Sequence, residues 1–271
     1  MILPGETLGV IGGGQLGRMF TVEALRMGYD VVVLDPDANS PAGQLASHHI
    51  CATYDDTAAL DDMARRCRAI TIEFENLPLS SLTYLDDRVT LSPSPRCVEI
   101  AQNRLLEKNC FSQHGLATAA FAPLQTQDDI DAAVAVTGLP CIVKTAQFGY
   151  DGKGQRVCHS RQDVAEAFEQ LGQVACIVEQ KITLTREVSV ILARSRSGVS
   201  VAFPIAENTH ENGILDTTVV PAHLEAGQAD QARALANQLA DALDYIGVLA
   251  VEMFVNDDND ILLNEIAPRP H

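Results

Sequence analysis

The first hundred residues alternate apolar strand-like runs with amphipathic stretches, and this rhythm constrains the fold more than any other feature. Leu8 to Ile11 is a short apolar run, Gly12 to Gly17 a glycine turn, and Leu16 to Met27 a helical stretch with apolar positions at Leu16, Met19, Phe20 and Leu25. A second run, Val31 to Leu34, ends at Asp35. Further strands are expected at Ile50 to Thr53 and Ala69 to Ile72, with a helix from Ala58 to Arg66 between them. Strand, turn, helix and strand in that order build βαβ units, so an α/β domain with a parallel sheet and helices on its faces is expected over 1–100.

Beyond residue 100 the pattern changes. Arg96 to His114 is helical and polar, and Pro123 and Pro140 bracket a helix around Ile130 to Val136. Short strands at Cys141 to Lys144 and Cys176 to Glu179, with a helix near Val164 to Leu171 between them, suggest a small α+β unit over 101–187. The remainder, 188–271, offers strands at Val188 to Ala193, Val199 to Ala206, Thr217 to Val220, Val248 to Val255 and Ile261 to Ile266, with one amphipathic helix near Gln231 to Leu243. A mixed or antiparallel sheet fits that pattern. A chain of 271 residues, 46% of them apolar, can bury more than one core, so two or three compact units are expected.

Composition excludes several classes of function. No run approaches the ~18 to 20 apolar residues that a bilayer span requires, and Met1 to Glu6 has no basic segment ahead of an apolar core, so no membrane partner and a cytoplasmic location are expected. A formal charge of −17 argues against a nucleic-acid partner, which is bound through broad basic surfaces. The seven cysteines are scattered without a CxxC spacing and read as reduced structural thiols. His48 and His49 are the one adjacent histidine pair and have no third ligand nearby, so zinc is not expected.

Two glycine-rich segments carry phosphate-binding signals. Gly12, Gly14 and Gly17 satisfy GxGxxG after a strand, with Asp35 ending the next strand, the arrangement of a dinucleotide site. The unit is short for two βαβαβ halves, and the turn could serve a different anion at its helix N-terminus. The second segment is richer. Gly149, Tyr150, Asp151, Gly152, Lys153, Gly154 and Gln155 follow a strand closed by Lys144, in a chain whose four lysines are Lys108, Lys144, Lys153 and Lys181. Alternating glycines offer backbone amides and the lysines offer cations, which reads as a mobile lid over a polyphosphate; the alternative is a tight surface turn.

Carboxylates follow in order. Glu179 ends a strand and Glu187 opens the next, so the segment between them can present backbone groups to an adenine edge and Glu187 can accept ribose hydroxyls; both could instead be solvated acids. Glu252 and Glu265 each lie inside an apolar strand, where a carboxylate is costly unless paired or metal-bound. The turn Asn256 to Asp260 would fold these strands into a hairpin, placing both glutamates on one face beside Asn264. Few oxygen ligands, completed by substrate phosphates, describe magnesium.

These features resemble the ATP-grasp ligases in order and spacing. Within them GGQLGRM (Gly13 to Met19), TIEFEN (Thr71 to Asn76), FGYDGKGQ (Phe148 to Gln155), NTHENGIL (Asn208 to Leu215) and NEIAPRPH (Asn264 to His271) resemble the 5-(carboxyamino)imidazole ribonucleotide synthases of purine biosynthesis. The resemblance spans essentially the whole chain. It implies a Rossmann-like pre-ATP-grasp domain (1–100), then a two-lobed ATP-grasp fold: a small lobe with the lid (101–187) and a large lobe with the magnesium site (188–271). Such enzymes run on past PRPH into a further domain with basic residues for the substrate phosphate, so the large lobe is expected to be incomplete at His271 and turnover by this chain is in doubt.

The resemblance also implies roles. Arg104 and Lys144 would contact ATP phosphates, Gly149 to Gln155 would close over them, and Glu179, Gln180, Lys181 and Ile182 would hold adenine. Glu187 would bind ribose, His210 and Asn264 would lie near the nucleotide, and Glu252 and Glu265 would ligate Mg2+. Gln15, Leu16, Glu75 and Asn76 would line the 5-aminoimidazole ribonucleotide pocket. Tyr150, Asp151, Lys153, Arg269 and His271 would face bicarbonate and a carboxyphosphate intermediate. The family is expected to be homodimeric.

Overall fold

The computed structural model describes residues 2–147, 149, 154–211, 213–225 and 227–271. Three sheets organise them. The first is a five-stranded parallel sheet built from β1 (Thr7–Ile11), β2 (Asp30–Leu34), β3 (His48–Ile50), β4 (Ala69–Ile72) and β5 (Thr90–Leu91), in the order β3-β2-β1-β4-β5. The helices α1 (Gln15–Arg26), α2 (Thr57–Arg66) and α3 (Leu79–Asp86) connect its strands. Its central strands are apolar on both faces because both are covered. Val10, Val31 and Val33 pack with Ala24 of α1, while Ile11, Val32 and Leu34 pack with Leu60 and Met63 of α2 and Leu82 and Leu85 of α3. The predicted strand at Ile50 to Thr53 lies earlier, at His48–Ile50, where its pairing with Val32 to Leu34 decides the register.

Two helices follow where one helical stretch was expected: α4 (Pro95–Gln102) and α5 (Arg104–Gln113). Asn103 separates them with extended backbone (φ −132, ψ 110), and its side chain accepts from the amides of Leu105 and Leu106, capping the second helix. The two-faced α4 joins domains. Val98 enters the core of the first sheet, whereas Cys97 packs in the core of the third.

The second sheet comprises β6 (Phe121–Leu124), β7 (Cys141–Thr145), β8 (Gln155–Cys158) and β9 (Cys176–Gln180), antiparallel in the order β6-β9-β7-β8, with α6 (Ile130–Thr137) and α7 (Arg161–Gln170) over one face. Lys144 is registered opposite Gln155, so the glycine segment is the connection of a β7–β8 hairpin and its last predicted residue belongs to a strand.

The third sheet holds β10 (Leu184–Arg194), β11 (Ser200–Ala202), β12 (Ala206–Glu211), β13 (Ile214–Val219), β14 (Gly247–Asn256) and β15 (Ile261–Ala267) in the antiparallel order β13-β12-β10-β14-β15, with β11 paired to β10. The expected strand from Val199 to Ala206 divides in two, β11 and β12, with Pro204, which has no amide to donate, in the gap between them. Alternation sorts the faces. Val188, Val190, Leu192, Leu249, Val251 and Met253 pack under α8 (Gln228–Ala242) and α5, leaving Glu187, Ser189 and Glu252 on the opposite face. Among the described residues no helix is long and apolar enough to cross a membrane.

Candidate active site

A cleft of about 420 Å³ lies where the three sheets meet. Glu75, Asn76 and Gln102 line it from the first domain, Arg104 and Glu107 from α5, and Lys144, Gly149, Gly154 and Gln155 from the second sheet. Glu187, His210, Glu252, Asn264, Glu265, Arg269 and His271 line it from the third sheet and the segment after it. Residues nearly two hundred positions apart in sequence thus share one cavity. Tyr150, Asp151, Gly152 and Lys153 lie outside the described residues.

The cation side is built around Glu179. Its carboxylate is buried at 3% exposure, accepts from Lys144 Nζ at 2.9 Å and lies 4.0 Å from the buried Lys108 Nζ. Burial pushes its pKa up, but Lys144 and Lys108 outweigh burial and hold it below the usual carboxylate value. Glu179 is therefore an ionised internal partner of two lysines and not a solvated acid. It orients Lys144 at the mouth of the hairpin. Arg104 donates to the carbonyls of Thr145 and Gly149, tying α5 to the base of the glycine segment. Gln180 and Lys181 are exposed at the end of β9, and Ile182 is half-buried beyond them; none of the three lines the cleft.

The anion side is a row of carboxylates. Glu252 stands directly opposite Glu265 across β14 and β15, as the hairpin argument expected, and opposite Ser189 on β10. Burial, reinforced by the charges of Glu265 and Glu187, pushes Glu252 up to about 8. Like charges held this close need a cation or a proton. Among the described residues no cluster of three or more His, Cys, Asp or Glu side chains is arranged to hold a metal. Two carboxylates beside the Asn264 amide therefore suit an oxygen-seeking ion that also takes ligands from a bound phosphate. Glu187 Oε2 pairs with His210 Nδ1 at 2.9 Å on the neighbouring strand. Burial raises the pKa of Glu187, an effect that His210 opposes.

A third group links the domains. Arg269 Nε donates to Glu75 Oε2 at 2.6 Å, joining TIEFEN to PRPH. Gln102 donates to the carbonyls of Glu75 and Leu77 at 2.6 and 2.7 Å, so the first-domain segment is held from α4 as well. His271 Nε2 lies 3.5 Å from Glu252, and burial together with Arg269 lowers its pKa.

The glycine turn is occupied by the protein itself. Glu73 accepts from the amides of Gly14 and Leu16, and Asp35 accepts from the amide of Gly13 and from Tyr54 Oη. Asp35 is thereby spent on the fold and unavailable to a ribose. The glycines admit Glu73: a Cβ on Gly12, whose φ is +103, would lie 2.8 Å from it, and one on Gly17 would lie 2.6 Å from the Gly12 carbonyl. Gln15 is exposed and Leu16 half-buried at the start of α1; neither lines the cleft. Sequence reasoning missed Glu73, Gln102, Glu107 and the role of Lys108. The acidic start of TIEFEN and the EK pair on a polar helix were the available signals, visible only as ordinary charged residues.

Two family models cover the chain: a ribonucleotide synthetase preATP-grasp domain over residues 5–102 and an ATP-grasp domain over 109–271. Among curated relatives, the N5-carboxyaminoimidazole ribonucleotide synthase of Brucella melitensis is 43% identical over 99% of this chain and 75% of its own length. That of Bacillus subtilis is 42% identical over 100% and 71%. Among solved structures, an ADP complex of an N5-carboxyaminoimidazole ribonucleotide synthetase superposes with a TM-score of 0.96 at 44% identity, covering all of this chain and 72% of that one. The Aspergillus clavatus enzyme, solved with ADP and 5-aminoimidazole ribonucleotide, superposes with a TM-score of 0.92 at 29% identity, covering 100% and 71%. This chain belongs to the N5-carboxyaminoimidazole ribonucleotide synthase family, on an ATP-grasp domain preceded by a preATP-grasp domain.

Proposed function

We propose that this protein uses ATP and bicarbonate to carboxylate the 5-amino group of 5-aminoimidazole ribonucleotide, as an ATP-dependent carbon–nitrogen ligase of purine biosynthesis. The observation that carries the proposal is the cleft itself, in which the first-domain pair Glu75 and Asn76 meets Arg269 at one end and the Lys144, Glu187, Glu252 and Glu265 set at the other. Such a site can hold a nucleotide and a second small substrate in contact. Relatives named for this activity match the chain over nearly its whole length.

In this reading a bicarbonate oxygen attacks the γ-phosphorus of ATP, ADP leaves, and carboxyphosphate forms. The 5-amino nitrogen then bonds to the carboxyl carbon, phosphate departs, and the amine loses a proton. Lys144 and Arg104 would offset charge on the phosphates, and Glu187 with His210 would fix the sugar. Glu252 and Glu265, with Asn264 beside them, would hold Mg2+, which would supply charge neutralisation on the nucleotide's phosphates. Arg269 would face the carboxyl group, and His271, kept neutral by burial and by Arg269, would accept the proton. Glu75 and Asn76, with Gln15 and Leu16, would bind the ribonucleotide. The segment containing Tyr150, Asp151 and Lys153 would exclude water from the carboxyphosphate, and Gln180 to Ile182 would meet adenine. A cytoplasmic location and a homodimeric state belong to the same reading.

The test is ADP release that requires both bicarbonate and 5-aminoimidazole ribonucleotide. Calorimetric binding of NAD without binding of Mg-ATP would overturn the proposal. Binding of Mg-ATP with no bicarbonate-dependent turnover would reduce this chain to a nucleotide-binding module.

A further inference from the structure

The strand that carries Asn264 and Glu265 is an edge strand, since β15 closes its sheet. Its outer side carries an isolated parallel bridge at Thr118, with the Leu263 amide donating to the Ala117 carbonyl at 2.8 Å, and no further strand of the sheet. This strand is also irregular. Glu265 is registered with Glu252 but Leu263 with Met253, so Asn264 is an extra residue with no counterpart on β14. In a regular strand consecutive side chains face opposite sides; a bulge re-aims one of them. Here both Asn264 and Glu265 line the cleft.

The partners of that bulge come from α5 and the segment that follows it. Lys108 Nζ donates to the Asn264 carbonyl at 2.8 Å, to the Leu263 carbonyl at 3.5 Å and to Thr118 Oγ1 at 2.9 Å, while Thr118 Oγ1 donates to the Leu263 carbonyl at 2.8 Å. On the far side of Glu265, Glu107 Oε1 accepts from the amide of Ile266 at 2.7 Å. Glu107 and Lys108 are 2% and 1% exposed. Burying a lysine is costly, and a methionine would fill the same space without that cost. Its presence is accounted for by the carbonyls it satisfies and by the Glu179 carboxylate 4.0 Å away.

We propose that Lys108 is a positioning residue for the metal and nucleotide site, clamping the bulge that turns Asn264 and Glu265 together into the cleft. The inference rests on Glu252 and Glu265 being magnesium ligands. It is tested by calorimetry of ATP binding with and without magnesium. Lys108→Met should raise the magnesium concentration for half-maximal effect by roughly tenfold or more, as loss of a ligand-orienting partner does, with metal-free ATP affinity changed by less than about twofold. In a Glu265→Gln background the same substitution should shift the remaining magnesium dependence clearly less, because one of the two residues it positions is already gone. Equal weakening with and without metal, or the same shift in both backgrounds, overturns the proposal. If Lys108→Met does not fold, Thr118→Val, which removes the hydroxyl link between Lys108 and Leu263, should give a smaller shift in the same direction; an unchanged magnesium dependence there overturns it as well. Wild-type protein that binds ATP equally with and without magnesium refutes the metal reading itself and the clamp with it, an outcome distinct from failure of the variants alone.

Discussion

Replacing Lys144 with methionine separates two roles that the structure gives one side chain. Lys144 is 15% exposed in its side chain and lies 2.9 Å from a Glu179 carboxylate that is 4% exposed in its side chain. Breaking such a pair leaves an under-compensated buried charge, which costs roughly 3 to 5 kcal/mol. Lys108, 4.0 Å away, keeps Glu179 from being isolated, so the expected loss of folding stability is at the lower end, about 3 kcal/mol. Separately, loss of a charge-assisted contact to a phosphate should weaken ATP binding by ~1.5 to 3 kcal/mol, or roughly 10- to 150-fold. The double variant Lys144→Met with Glu179→Gln distinguishes the two effects. Removing both charges should restore part of the stability in urea unfolding, because no under-compensated carboxylate remains and Lys108 keeps the nearby charge of Glu107, while ATP affinity by calorimetry stays as weak as in the single variant. Recovery of ATP affinity along with stability would show that Lys144 acts through the fold alone. A single variant as stable as wild type would refute the account of the buried pair.

Acid unfolding should report the same pair: Glu179 titrates below its ordinary value of 4.5 when folded, so the unfolded chain binds the proton first and the stabilisation, complete above about 4.5, is lost as pH falls through the folded value. In Lys144→Met the folded value of Glu179 rises, because burial is then opposed mainly by Lys108, so the stability lost on acidification below about pH 4.5 should shrink, as urea unfolding followed by circular dichroism at each pH reads. Glu73→Gln should weaken the anchoring of the Gly14 and Leu16 amides and cost about 1.5 kcal/mol in thermal or urea unfolding without creating NAD binding. An NAD complex in that variant would mean the turn is a dinucleotide site merely plugged by Glu73. Glu75→Gln, which discharges the partner of Arg269, should raise KM for the ribonucleotide roughly tenfold, about 1.4 kcal/mol, and leave ATP affinity near wild type. A change in ATP affinity of equal size would assign the pair to domain docking.

The sequence by itself determined the local and periodic features. Val31 to Leu34 could only be a strand covered on both faces, the glycines at 12, 14 and 17 could only make a close turn into a helix, and the apolar frames around Glu252 and Glu265 could only form two strands joined at an acidic turn. Each follows from short-range sterics and burial, which few residues specify. What it left undecided was every choice that depends on partners distant in the chain. A GxGxxG turn reads as a phosphate cradle until the fold brings Glu73 onto its amides. Glu179 reads as either a solvated acid or a ligand until β7 and α5 set Lys144 and Lys108 beside it. Arg269 and Glu75 acquire a shared role only when α4 locks the first domain against the third sheet. The bulge at Asn264 is invisible in sequence because its hydrogen-bonding partner, Lys108, lies 156 residues away. Charges cost too much to bury alone, so the tertiary structure, by choosing their partners, decided which of these residues serve the fold and which face the cleft.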